Sequence, residues 1–133
     1  LDSIIVSAGE NVIQRAWLDS LRDGGTLVVP MRYSDSEPGQ LTRVTRCGDR
    51  YQVEFLMDVM VYPCHGGEDS DHARLLHEAV EMYGWYTGSE LRFDVENADE
   101  SAWITTPSYW ISMLEHDHFD TTEYKSRAPR SAL

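Results

Sequence analysis

The sequence has few of the features that mark membrane-spanning or disulfide-stabilised proteins. Its two cysteines, Cys47 and Cys64, are too few for a disulfide framework, and neither lies in a CxxC pair. No apolar run approaches the ~20 residues that cross a bilayer. The apolar run that follows Leu1 has no basic segment before it, unlike a secretory signal peptide. We therefore expect a soluble, cytoplasmic protein with reduced thiols and no membrane partner.

Positive charge is also scarce, and the deficit grows along the chain. The formal net charge is -12, and Lys125 is the single lysine beside ten arginines. Nine acidic and six basic residues lie up to Pro63, whereas fourteen acidic and five basic residues follow from Cys64. This balance argues against a nucleic-acid partner, which requires Lys and Arg clusters. It is compatible with a basic peptide partner or with an acidic, solubilising surface.

The N-terminal part has the pattern of a strand, a helix and a second strand. Ser3–Ala8 and Thr26–Val29 are short apolar runs rich in β-branched residues, which is typical of buried parallel strands. Between them, Glu10–Asp23 has apolar residues at helical spacing. The apolar stripe consists of Ile13, Trp17 and Leu21. We expect Gly24 or Gly25 to end this helix in a left-handed conformation, giving a βαβ unit of an open parallel sheet.

The next segment alternates apolar and polar residues, which predicts an antiparallel hairpin. Gln40–Arg46 and Tyr51–Tyr62 are the two strands, and the turn lies at Cys47–Arg50. The alternation in the second strand shifts near Asp58, which favours a β-bulge there. The parallel sheet thus acquires an antiparallel edge.

Beyond the hairpin, the pattern predicts an acidic α+β extension. It comprises a helix over Ser70–Tyr83 that Gly84 ends, a strand over Ser89–Val95 and a short helix over Tyr109–Leu114 entered at Thr106-Pro107. Asp120–Leu133 is polar and predicted to fray.

The histidines do not make a convincing metal site. His65, His72 and His77 lie near acidic residues, but His72 and His77 are five residues apart and do not share a helix face. We expect no bound metal.

Two stretches carry a resemblance to a known family. They are "LDSIIVSAGENVIQRAWLDSLRDGGTLVVPM", residues 1–31, and "QLTRVTRCGDRYQVEFLMDVMVYPCHGG", residues 40–67. In order and spacing they resemble the C-terminal half of the protein-L-isoaspartate O-methyltransferases, class I methyltransferases that use S-adenosylmethionine. In that family a strand of the type "YDxIxVTAAA" and a helix precede "QLKPGGRLVxPVG" and a hairpin that ends in "VxFVPLTG".

The resemblance implies a Rossmann-like α/β sheet and methyl transfer from S-adenosylmethionine to an aspartyl or isoaspartyl carboxylate in a protein or peptide. The resulting ester would leave to give a succinimide. Some relatives modify an aspartate in a ribosomally synthesised peptide, and an added acidic segment would suit such a client. The residues that correspond to the walls of the family's substrate cleft are Ser7, Ala8 and Gly9 on one side and Tyr62, Pro63 and Cys64 on the other.

The family's glycine-rich cofactor loop has no counterpart among the nine glycines present. The resemblance therefore places the cofactor site upstream of Leu1, in the same protein or in a second polypeptide. We expect three regions: residues 1–67 as the C-terminal half of the methyltransferase domain, 68–119 as an accessory extension and 120–133 as a polar tail. The alternative function is a non-catalytic acidic module that binds a peptide or a partner subunit.

Overall fold

A computed structural model describes residues 1–34, 36–60, 70–85 and 89–113. Their secondary-structure elements are, in chain order, β1 (Ser3–Ile5), α1 (Arg15–Asp19), β2 (Thr26–Met31), β3 (Gly39–Cys47), β4 (Arg50–Val59), α2 (Ser70–Tyr83), β5 (Ser89–Arg92), a 3₁₀ turn (Val95–Asn97), β6 (Ala102–Thr105) and β7 (Trp110–Ser112). The strands of this described part form one sheet in the order β1-β2-β3-β4-β5-β7-β6. None of the described helices is long and apolar enough to cross a membrane.

The predicted parallel pair is present. Strands β1 and β2 run parallel with Ile4 opposite Leu27, and their pairing continues past β1 through a bond from the Val6 N–H to the Val28 carbonyl, 2.9 Å. Since a parallel pair requires a crossover connection, the intervening helix follows from the topology. The predicted α/β, Rossmann-like class is confirmed.

The helix between these strands is shorter than the pattern predicts. A helix over Glu10–Asp23 was wrong at its N-terminal end, because Glu10 pairs with Met31 in a parallel β-bridge instead of starting a helix. Gln14, just before α1, is still extended. The buried positions also differ: Leu18 is fully buried, whereas Trp17 of the predicted stripe is half-buried.

The two glycines turn the chain into β2 rather than ending α1. Gly24 has a positive φ of 82°, as predicted for one of the pair, but it lies five residues after the last residue of α1. Its N–H donates to the Arg46 carbonyl at 2.7 Å, which ties the turn to β3. Gly25 lies so close to the carbonyl oxygens of Leu1 and Asp2 that a side chain there would collide with the backbone just before β1.

The antiparallel hairpin is confirmed. Strands β3 and β4 pair from Gly39↔Val59 to Cys47↔Arg50. Leu41 lies opposite Met57 and Thr42 opposite Phe55, so the bulge falls at Leu56, two residues before the predicted position. The sheet does not end with this hairpin, because β5 pairs with β4 and continues it. The predicted boundary at residues 67 and 68 stays a prediction, and the sheet extends across it.

In the predicted extension, the helix over Ser70–Tyr83 is confirmed and the second helix is wrong. Gly84 follows α2 with a φ of 70°, and its N–H donates to the Val80 carbonyl at 2.8 Å. The predicted strand over Ser89–Val95 ends earlier, at Arg92. The part of the predicted helix over Tyr109–Leu114 that the structure describes contains β7, which forms a hairpin with β6.

A side-chain turn explains why the chain reverses there. The Thr106 Oγ1 accepts hydrogen bonds from the backbone N–H groups of Ser108 and Tyr109, and the Thr106 N–H donates to the Tyr109 carbonyl at 2.8 Å. Threonine side chains that bond to nearby backbone groups favour turns over helices. The aromatic and β-branched residues that follow then suit a strand. Leu114 and the predicted tail over Asp120–Leu133 lie outside the described residues.

The aromatic cluster of Tyr33, Phe55, His77, Trp85 and Trp103 joins α2 to the sheet. The rings of Tyr33 and His77 stack with centroids 4.6 Å apart, and Trp85 contacts both Phe55 and Trp103. Leu76 and Ala79 of α2 are buried in the same core. Aromatic pairs of this kind contribute about 1 kcal/mol beyond the area that they bury.

A network of charged and polar side chains lies where β5 and β7 meet the 3₁₀ turn. Arg92 donates to both carboxylate oxygens of Asp94, at 2.9 and 2.6 Å, and Asn97 and Trp110 donate to the same carboxylate. The bonds from Arg92, above all, hold the pKa of Asp94 well below its usual range, against the opposing effect of burial. The Asp94 carboxylate therefore fixes the start of the 3₁₀ turn against β7.

We expect Gly39→Ala to destabilise the protein by about 3 kcal/mol, because a Cβ at this position falls on the Met31 carbonyl oxygen of β2. Gly24→Ala is the matched comparison: a Cβ there meets no atom within 4 Å, and only the positive φ opposes it. That variant should lose about 1 kcal/mol. Urea unfolding measures both, and equal losses would contradict the close approach at Gly39.

We expect Asp94→Asn to lose about 2 kcal/mol at pH 7, the contribution of hydrogen bonds to a charged group. Because the folded-state pKa is depressed, the parent protein has this stability above about pH 4 and loses it as the pH falls further. The variant should lose less stability than the parent between pH 5 and pH 2 in urea titrations. Asp49→Asn is the control. The Asp49 side chain is 98% exposed, and its Oδ1 lies 4.0 Å from the Arg50 Nε, which is too far for a hydrogen bond. This assignment would be contradicted if the free energy of unfolding fell by the same amount with pH in the parent and in Asp94→Asn.

Candidate functional site

A cleft opens at the carboxyl ends of the two parallel strands. Its volume is about 460 Å³, within the usual range for small-ligand sites. Ligands of open α/β sheets characteristically bind outside the carboxyl ends of parallel strands. The residues that line the cleft are Gly9, Glu10, Asn11, Arg32, Tyr33, Ser34, Ser70 and Ala73.

Backbone pairing beyond β1 sets the floor of the cleft. The Glu10 N–H donates to the Pro30 carbonyl at 2.9 Å, and the Arg32 N–H donates to the Glu10 carbonyl at 2.8 Å. These two bonds keep the segment after β1 beside the end of β2. Gly39 permits β3 to approach the Met31 carbonyl from the other side. Two of the three segments that carry the lining side chains are therefore fixed by main-chain contacts.

Two buried side chains of opposite charge lie in the lining. Glu10 is 4% exposed and Arg32 is 7% exposed, and the Arg32 Nε donates to the Ser34 carbonyl at 3.3 Å. Among the described lining residues, Arg32 carries the only positive charge. A guanidinium group presents several donors in a plane and matches the two oxygens of a carboxylate. The cleft therefore combines one cationic and one anionic side chain in its lining.

Tyr33 forms part of the wall between the sheet and α2. Burial, with smaller contributions from the charges of Glu37 and Glu81, raises the pKa of the Tyr33 phenol. The phenol is thus neutral at physiological pH and keeps its proton. His77, which stacks on Tyr33, lies 3.0 Å from the Glu81 carboxylate through its Nε2.

The sequence-predicted site residues are only partly placed by the structure. Gly9 is buried and lines the cleft, whereas Ser7 is exposed and Ala8 is half-buried, and neither is among the lining residues. The predicted second wall of Tyr62, Pro63 and Cys64 lies outside the described residues. These assignments stay predictions.

Sequence reasoning missed most of the polar lining. Arg32 and Tyr33 directly follow β2, whose first four residues were predicted as a parallel strand, so the rule that ligands bind at the carboxyl ends of parallel strands was the available signal for them. Ser70 and Ala73 gave no such signal, because they reach the cleft only through the packing of α2. Within the described ranges, no group of three or more His, Cys, Asp and Glu side chains is arranged to hold a metal ion.

The comparisons with known proteins agree with the resemblance in the N-terminal part. The family model that matches is Protein-L-isoaspartate(D-aspartate) O-methyltransferase (PCMT), over residues 1–69. The protein-L-isoaspartate O-methyltransferases of Shewanella halifaxensis and Vibrio parahaemolyticus are each 40% identical over 67 residues. These alignments cover 50% of this chain, and 30% and 31% of the two relatives. The chain therefore spans less than a third of the length of these curated relatives.

A solved structure from Plasmodium falciparum, described as a protein-L-isoaspartate O-methyltransferase in complex with S-adenosyl-L-homocysteine, is 22% identical. The likeness covers 47% of this chain and 27% of that chain, with a TM-score of 0.41. Because that score is low, the assignment rests on the sequence match, which includes more than half of the chain. The chain belongs to the protein-L-isoaspartate (D-aspartate) O-methyltransferase family.

Proposed function

We propose that this chain is part of an S-adenosylmethionine-dependent methyltransferase that esterifies an isoaspartyl or aspartyl carboxylate in a protein or peptide. The family match over residues 1–69 supports the reaction class. The observation that carries the proposal is the cleft at the ends of β1 and β2, with the buried cation of Arg32 in its lining. All but two of its lining residues belong to the matched segment.

Arg32 is the residue that would orient the substrate. Its guanidinium group, held in place through the bond from Nε to the Ser34 carbonyl, would bind one oxygen of the substrate carboxylate. The other oxygen would remain directed toward the methyl donor. Glu10 and Asn11 would supply acceptors for backbone N–H groups of the peptide. Such fixed orientation is the main requirement for attack on a methyl group, since alignment lowers the entropic part of the barrier.

The reaction asks for little acid–base chemistry, because a carboxylate is ionised at neutral pH. This agrees with a cleft whose tyrosine keeps its proton. The contribution of Tyr33 and α2 would be to cover the cleft and limit the access of water to the reacting groups.

The residues present do not by themselves make a cofactor cradle. None of the nine glycines lies in a GxGxxG loop between a strand and a helix. We propose that polypeptide outside these 133 residues, in the same protein or in a second subunit, holds S-adenosylmethionine. The cofactor supplies an electrophilic methyl group on a sulfonium.

The fate of the ester is part of the same proposal. A neighbouring backbone nitrogen would displace methanol from the methyl ester and close a succinimide ring. The client is either a damaged protein or a ribosomally synthesised peptide, and the extension from residue 68 onward would serve its recognition. The acidic charge of that extension favours a client with basic residues.

The test uses the protein as isolated from its source, together with any associated polypeptide. It is incubated with methyl-labelled S-adenosylmethionine and three peptides that differ only in carrying isoaspartate, aspartate or asparagine. We expect a base-labile labelled ester on a carboxylate peptide and none on the asparagine peptide. Cofactor binding without label on any peptide would overturn the proposal, and peptide binding alone would support the non-catalytic alternative.

We expect Arg32→Gln to reduce kcat/KM by about 10- to 100-fold, the effect of losing hydrogen bonds to a charged group. Arg32→Lys should fall between the parent and Arg32→Gln, since it keeps the charge but loses the planar fork. Arg43→Gln is the matched control: Arg43 lies on β3, is 41% exposed, and pairs with Glu54 at 2.8 Å away from the cleft. Equal kcat/KM values for Arg32→Gln and Arg43→Gln would remove Arg32 from the site.

A further inference from the structure

The wall of the cleft includes a helix that the family match does not reach. The match ends at residue 69, and α2 begins at Ser70. Ser70 and Ala73, both in the first turn of α2, line the cleft opposite Gly9–Asn11 and Arg32–Ser34. Residues three apart lie on the same face of a helix, so one face of this turn is presented to the cleft.

The position of α2 is fixed by contacts along its middle and just past its end. Leu76 is 1% exposed and Ala79 is 6% exposed, so the middle of the helix belongs to the core. The Trp103 Nε1 donates to the Gly84 carbonyl at 2.7 Å, just past the end of α2. Together with the Tyr33–His77 stack, these contacts hold the first turn at a set distance from the strand ends.

The side chains at the wall are small. Ala73 carries a single methyl group and Ser70 a hydroxymethyl group, whereas the neighbouring Arg74 is exposed and does not line the cleft. A branched side chain at residue 73 would occupy space that a ligand can now use. A cleft of about 460 Å³ has room for a side chain and adjacent peptide units.

We propose that the first turn of α2, through Ala73 and Ser70, selects the substrate by the size of the side chains that flank its reacting carboxylate. This inference rests on the proposed function for the identity of the reacting carboxylate. It adds that residues beyond the matched segment determine which flanking side chains the substrate carries. Each methylene group that such a wall admits or excludes changes the ratio of kcat/KM values between two substrates by about tenfold or more.

The experiment compares two peptides with the same isoaspartyl residue, one flanked by glycine and one flanked by tryptophan. Ala73→Leu should lower kcat/KM for the tryptophan-flanked peptide about tenfold more than for the glycine-flanked peptide. Arg74→Leu is the matched control, because it places the same side chain one residue away on an exposed face. In this variant the ratio of the kcat/KM values for the two peptides should equal that of the parent. Ser70→Leu, at the first position of α2, is a second variant with the same expected direction.

Dissociation constants for the two peptides, measured by calorimetry with the same variants, separate this inference from the proposed function. If the parent protein transfers no methyl group, the proposed function fails, and the ratio of dissociation constants still tests the wall. A ratio that neither Ala73→Leu nor Ser70→Leu changes overturns the role of α2, whether or not the protein is a methyltransferase. A circular dichroism spectrum identifies any variant that does not fold, and the remaining variant then decides.

Discussion

The two backbone hydrogen bonds of Glu10, one to Pro30 and one from Arg32, are the constraint on which the candidate site depends. They extend the parallel pairing past the three residues of β1 and bring the chain after β1 beside the end of β2. Both segments then leave the sheet at the same edge. Without this bridge, the residues after β1 would be free to join α1, and the cleft would lack its floor.

The sequence was most informative where periodicity alone determines structure. The two parallel strands, the hairpin of β3 and β4, and α2 follow from apolar runs, alternation and helical spacing. The start of α1 did not follow, because the pairing of Glu10 with Met31 is a tertiary contact that local spacing does not encode. The segment after Thr106 was assigned to a helix because a short apolar run fits a helix and a strand equally well. Bonds from nearby N–H groups to the Thr106 side chain favour the hairpin.

In the candidate site, too, some residues could be predicted from the sequence and others could not. Gly9 was predicted from the family resemblance. Arg32 was not predicted, but the rule that ligands bind at the carboxyl ends of parallel strands would have indicated it. No such rule indicates Ala73, since its place in the cleft depends on how a helix from the acidic half packs through Tyr33, Trp85 and Trp103. Side chains that reach a site through the packing of aromatic rings leave no pattern in the local sequence. The physical reason is that such packing brings together residues as far apart in the chain as Tyr33 and Trp85.

The aromatic cluster also has an optical consequence. Trp85, which follows α2, is half-buried, and Trp103 of β6, which contacts it, is 3% exposed. A movement of α2 away from the sheet would bring water to both indoles and shift their fluorescence emission to longer wavelength. The chain therefore contains an intrinsic spectroscopic reporter for the wall of its own cleft, and no dye needs to be attached.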